Sequence, residues 1–290
     1  MFKIAAIGLV FSMVSTFVTA SFADAIEIPD ANLKQALCAA VQKECGDLAD
    51  NNLTGNDLEK LTSFRAVGKG ISDLTGLEAA VNLEILIVGA NKLEDLSPVA
   101  NLVKLKELHV WNNKISDLTP VRNLKNLAAL QLGFNKVSDI SSLKGLRRLN
   151  WIDLGYNDVF DLAPIAGMDS LKWLDLSHNN LSDITALAGL TNLERLLVPG
   201  NRIENLQPII GLQRLEWLDI SGNWLGQITG LEGLANLKVV TLVGNMLFFN
   251  PNSDEQKIIN ALLAHSVVVQ YQPQHNFPVF QGIPYLDPTR

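Results

Sequence analysis

Cysteine is almost missing from this chain, at 2 of 290 residues, and histidine numbers only 4. A disulfide-dense small fold is excluded, and no metal site built from several Cys or His is expected. Basic charge is also short. Lys and Arg total 23 against 30 Asp and Glu, a net charge of −7, and the longest basic run is the pair Arg147-Arg148. No such run can track a phosphate backbone, so nucleic acid is not expected as a partner. After the N-terminus there is no apolar run long enough to span a membrane. With 48% hydrophobic and 18% charged residues the chain does not have the composition of a disordered protein.

The one long apolar run, Ile4 to about Val18, follows Met1-Phe2-Lys3 and ends in small residues at Ala20, Ala23 and Ala25. At roughly 15 residues it falls short of the about 20 a spanning helix needs, and it reads as a secretory signal peptide cut after Ala23. Residues 1–23 are therefore assigned to export, and the mature chain is expected in the periplasm or outside the cell. Export makes a disulfide permissible, with Cys38 and Cys45 as the candidates. In one continuous helix they would lie about 10 Å apart, beyond bridging distance, so pairing requires the helix to end before Cys45. Lys43 and Gly46 suit such an ending.

What the sequence has in abundance is a period. Leu recurs at 83, 105, 127, 149, 171, 193, 215 and 237, and Asn at 91, 113, 135, 157, 179, 201, 223 and 245, each column stepping by 22 without insertion. Numbering the Leu as position 1, positions 1, 4, 6, 11, 14, 17 and 20 are apolar and position 9 is Asn. A unit of this kind cannot form a core alone and becomes stable by stacking on its neighbours. Positions 4 and 6 alternate as a short strand, placing Leu174 and Leu176 inside and Trp173, Asp175 and Ser177 outside. The Asn amide both donates and accepts, which suits the turn off that strand. Asp73, Asp95, Asp117, Asp139, Asp161 and Asp183 share position 13, and Pro98, Pro120, Pro164 and Pro208 share position 16. Capping carboxylates followed by Pro predict short 3₁₀-like segments on the far side.

This pattern resembles the leucine-rich repeat. The run Asn113-Lys114-Ile115-Ser116-Asp117-Leu118-Thr119-Pro120, with a small helical cap before it, resembles the internalin-type bacterial members of that family. The resemblance runs from about Ile28 to Tyr271. It implies an α/β solenoid, curved, with a parallel β-sheet on the concave face, 3₁₀ or irregular segments on the convex face and a helical N-terminal cap. Residues 24–60 are expected to form that cap and 61–245 about nine repeats. Residues 246–272 should form a C-terminal cap of helix plus strand, and 273–290 an extended arm or a disordered tail. The resemblance also implies a secreted or surface-displayed binding module, in its best-known members an adhesin.

Function is sought at positions 3, 5, 7 and 8, where outward side chains are not demanded by the repeat. Position 3 carries Trp151, Trp173, Arg195 and Trp217, with Trp111 at position 7 and Phe134, Tyr156 and His178 at position 8. At about 4.8 Å between repeats, Trp151 and Trp173 should touch, and Arg195 should lie between Trp173 and Trp217. Asp153, Asp175 and Asp219 at position 5 are expected to give this patch an acidic flank. Exposed aromatic patches mark binding sites, and Trp, Tyr and Arg are the usual anchors. The leading expectation is a monomeric protein-binding module without cofactor. A carbohydrate binder that stacks sugars on the rings is the alternative, and a scaffold whose Trp column is covered intramolecularly is a third. Catalysis is not expected. His109 and His178 lie three repeats apart and cannot share a metal, and an open face would not exclude water.

Overall fold

The chain was described from a computed structural model covering residues 25–44 and 52–274. The expected signal peptide, Cys45 and residues 275–290 lie outside the described residues. Ten three-residue strands form one parallel sheet in strict chain order. They are β1 (Ser63–Arg65), β2 (Ile85–Ile87), β3 (Glu107–His109), β4 (Ala129–Gln131), β5 (Trp151–Asp153), β6 (Trp173–Asp175), β7 (Arg195–Leu197), β8 (Trp217–Asp219), β9 (Val239–Thr241) and β10 (Val268–Gln270). Up to β9, each residue pairs with the one 22 positions on, as Trp151 with Trp173 and Asp153 with Asp175. The repeat thus sets the register, and every outward column becomes a physical row across the sheet. Opposite the strands lie short 3₁₀ segments, among them Ser97–Val99, Thr119–Asn123, Ser141–Leu143 and Ala163–Ile165. The architecture is a curved leucine-rich repeat solenoid.

The core lies between sheet and 3₁₀ segments and is filled by the periodic Leu, Ile and Val. Leu171, Leu174, Leu176 and Leu187 are each fully buried, and burying such a side chain contributes roughly 1.5–3 kcal/mol. The Asn column binds one repeat to the next. Asn157 Oδ1 accepts from the Val137 N–H at 2.8 Å, and its Nδ2 donates to the carbonyls of Leu132 and Leu154, each at 3.0 Å. On the convex side each Asp of position 13 turns the chain into its 3₁₀ segment. Asp95, Asp117 and Asp139 accept from the backbone N–H two residues on, each at 2.7 Å.

The N-terminal end is closed by α1 (Ala31–Ala40) and α2 (Gly55–Leu58). Asp30 caps α1 through the Leu33 N–H, and its other oxygen accepts from the Ser72 N–H at 2.7 Å, so one carboxylate joins cap to first repeat. α2 carries a capping box between Thr54 and Asp57, and Lys43 pairs with Asp57 at 3.0 Å. α1 stops five residues before Cys45, and Cys38 is buried within it. At the other end α3 (Asp254–Ala264), capped by Ser253, leads into β10. Pro273 and Gln274, the start of the segment expected to be an arm, bond to the last repeat. The Pro273 carbonyl accepts from Gly244 N–H at 3.0 Å, and Gln274 Oε1 accepts from Asn245 N–H at 3.0 Å. Among the described residues no helix is long and apolar enough to cross a membrane.

Candidate functional site: two aromatic rows on the sheet face

Strand register lines up position 3 into one row. Trp151 and Trp173 stack with centroids 4.9 Å apart and planes 15° from parallel. Arg195 follows, its guanidinium 4.9 Å from the ring centroids of both Trp173 and Trp217. The Trp rings are half-buried, and with Lys172, Glu194 and their neighbours they line a shallow groove of about 550 Å³. Lys172 and Glu194 pair at 2.8 Å along its edge, as do Lys238 and Glu216 at 2.6 Å.

A second row stands at position 8, where the chain turns off the strand. Phe134 stacks on Tyr156 and Tyr156 on His178, each at 4.2 Å. Phe134 and Tyr156 remain 47% and 43% exposed. The turn requires left-handed backbone at this position in every repeat. Gly200, Gly222 and Gly244 supply it at the C-terminal end, yet Phe134, Tyr156 and His178 hold φ of 57°, 57° and 51°. For a bulky side chain this conformation costs about 1 kcal/mol or more. The His178 ring lies over Gly200, where an added Cβ would come within 2.4 Å of Nδ1. Glycine there makes room for the end of the stack.

Position 5 differs from expectation. Asp153, Asp175 and Asp219 were expected as an exposed acidic flank, but they are 3%, 8% and 7% exposed. Each sits between the two rows, and its carboxylate folds back onto the N–H two residues on. Asp153 accepts from Gly155, Asp175 from the N–H and Oγ of Ser177, and Asp219 from those of Ser221. The room comes from position 7. A Cβ on Gly133 would lie 3.0 Å from both Asp153 oxygens, and one on Gly155 would lie 3.3 Å from an Asp175 oxygen. Burial, and then the charge of Asp153 beside it, pushes the Asp175 carboxyl up to about 7. Burial likewise raises Asp219 and, with Asp175 nearby, the Tyr156 phenol, while it lowers the His178 imidazole. These carboxylates are therefore the polar floor of the site rather than its contact surface. The same row continues as His109 and Gln131, which bond to each other through Nδ1 and Oε1.

Trp111 stands apart from both stacks. Its indole covers Gly89, where a Cβ would meet it at 2.3 Å. Sequence reasoning passed over four exposed aromatic or apolar side chains at positions 10 and 12. These are Phe160, Trp224, Met246 and Phe248, exposed by 64%, 46%, 56% and 73%. The signal was present, because position 10 is Lys, Asp, Asn or Arg from Lys92 to Arg202 before it changes to Trp224 and Met246. Among the described residues no group of three or more His, Cys, Asp or Glu could hold a metal ion.

Comparison with known proteins gives the same architecture. Family profiles described as Leucine Rich repeats (2 copies) and Leucine rich repeat match residues 103–145 and 162–203. No curated protein matches the sequence significantly. Among solved structures, internalin C2 from Listeria monocytogenes is 28% identical with a TM-score of 0.70, over 76% of this chain and 94% of that one. A second internalin of that organism, inlF, is 26% identical with a TM-score of 0.53, over 85% of this chain and 90% of that one. A plant peptide hormone receptor, RGFR1 in complex with RGF2, shares the fold at 22% identity and a TM-score of 0.60, over 74% of this chain and 40% of that one. The chain is an internalin-like leucine-rich repeat protein.

Proposed function

We propose that the protein is an exported, non-enzymatic module that binds a protein partner through the two aromatic rows. The observation that carries this is the position 8 stack. Phe134 and Tyr156 stay exposed on left-handed backbone where Gly would relieve the strain, so the rings are not explained by the stability of the turn. Strain retained at exposed side chains points to a use for them. The buried indole N–H groups of Trp151 and Trp173 likewise find no acceptor among the described residues, a cost of about 1–3 kcal/mol each that an aliphatic filler would avoid. Half-buried Trp beside Arg195, rimmed by ion pairs, has the make-up of a binding hot spot. The receptor–peptide complex among the structural neighbours agrees with this use of the fold.

Stacking bears on the choice between protein and sugar. Trp151 and Trp173 face each other, Arg195 occupies ring faces of Trp173 and Trp217, and Tyr156 is covered on both faces. A sugar platform needs open faces, whereas these rows offer mainly edges, which suit apolar and polar groups of a protein surface. We further propose that Cys38 pairs with Cys45 to staple α1, that residues 1–23 direct export, that the protein acts as a monomer, and that an adhesin-like role fits these features.

The test is a side-by-side capture of cell-surface proteins and polysaccharides by the mature chain and by Trp151→Ala, Trp173→Ala, Trp217→Ala, with folding of the variant checked by circular dichroism. A protein kept by the parent and lost by the folded variant supports the proposal. A polysaccharide behaving that way replaces it with the carbohydrate reading, and equal capture by both removes the position 3 row from the binding surface.

A further inference from the structure

Charge is not spread evenly over this acidic chain. Residues 118–152 hold six of its 23 Lys and Arg but one of its 30 acids. No linear run announces this, because the cations are spaced by the repeat. The fold brings three of them, Arg122, Lys125 and Lys144, together on the convex side, where the 3₁₀ segments Thr119–Asn123 and Ser141–Leu143 lie in neighbouring repeats. Between them is a shallow, polar depression of about 340 Å³ lined by Arg122, Asn123, Lys125, Ser141, Ser142 and Lys144. Arg147 and Arg148 are also exposed on the same repeat.

The cations are uncompensated. Elsewhere Lys106, Lys114, Lys172 and Lys238 each pair with a Glu of a neighbouring repeat at 2.6–2.9 Å. Among the described residues no carboxylate lies within ion-pair distance of Arg122, Lys125, Lys144, Arg147 or Arg148. The single acid of the stretch, Asp139, has Oδ1 engaged by the Ser141 N–H. Lys125 is also held in place, its ammonium donating to the Arg122 carbonyl at 2.6 Å. One guanidinium, two ammonium groups, two hydroxyls and an amide thus surround one depression and supply donors without a competing anion. That set matches the oxygens of a phosphate or sulfate ester.

We propose that this convex depression is a second binding site, independent of the aromatic rows, for phosphate or sulfate ester groups such as those of an anionic polysaccharide. Because its cations are exposed, binding is governed by salt and falls about tenfold or more between 50 and 300 mM NaCl.

The probe is fluorescently labelled sulfated dextran at low salt, with uncharged dextran as reference. Inorganic phosphate serves as competitor, and phosphatidylglycerol vesicles form a separate arm. The triple variant Arg122→Ser, Lys125→Ser, Lys144→Ser is set against Lys60→Ser, Lys92→Ser, Lys257→Ser, which removes the same charge outside both sites. All six side chains are exposed, so both variants should fold. The expected result is binding of sulfated dextran that phosphate competes, weakened at least about tenfold by the first triple change and little by the second. Vesicle binding lost only in the first variant would give the same site a lipid headgroup as its source. Equal loss in both variants, or no binding of either probe by the parent, would overturn the proposal.

Discussion

Asp175→Asn should stabilise this protein, and by an amount that depends on pH. Asp175 stands in register with Asp153 on the adjacent strand, both almost fully buried. Burial and the neighbouring charge raise its carboxyl to about 7, against 3.8 for the unperturbed group. Between these values the folded chain holds a proton that the unfolded chain has released. Stability is therefore undiminished below about pH 4, declines as pH rises, and carries the whole penalty above about pH 7. Roughly three pKa units at about 1.4 kcal/mol each set an upper value on the order of 4 kcal/mol. Asn keeps the acceptor that the Ser177 N–H and Oγ use at 2.8 and 2.5 Å, but has no charge to lose. Urea unfolding at pH 5 and pH 8 would measure it. The variant should exceed the parent by about 2–4 kcal/mol at pH 8 and by clearly less at pH 5. A destabilised variant at pH 8, or the same increment at both pH values, would refute the argument that a buried, like-charged neighbour controls this group.

Two further changes test the packing. Asn157→Ala leaves the Val137 N–H and the Leu132 and Leu154 carbonyls without their side-chain partner and should cost about 3–5 kcal/mol in urea unfolding. A loss below about 1 kcal/mol would contradict the role given to the Asn column. Gly133→Ala places a Cβ against both Asp153 oxygens and should cost about 1–3 kcal/mol. Gly167→Ala meets nothing but has φ of 72°, so it should cost about 1 kcal/mol from backbone strain alone. Equal thermal shifts for the two would mean that the glycine of position 7 is not making room for the carboxylate.

Much of the fold was legible because a fixed 22-residue period leaves no freedom in register. Once Trp151, Trp173, Arg195 and Trp217 fall in one column, strand pairing alone brings their side chains together. The period is silent about depth. Alternation along a strand predicts that Asp175 points away from the core, and it does, but the rows on either side cover it. Only the distance between those rows reveals this, and that distance depends on Trp side chains two residues before it and turn geometry two to three residues after it. The left-handed backbone at position 8 was readable from Gly200, Gly222 and Gly244 in the column of Phe134 and Tyr156. The convex cations were not, since Arg122 and Lys144 are 22 residues apart and no local run joins them.

The most direct test of the concave reading compares two exposed aromatic residues four positions apart. Tyr156 lies in the position 8 row, while Phe160 lies beyond the turn at position 12. Each would be replaced in turn by a photo-crosslinking phenylalanine analogue and irradiated with the captured partner present. The account predicts protein adducts from position 156 and none from position 160. Adducts from 160 alone, or equally from both, would contradict a binding surface made of the aromatic rows.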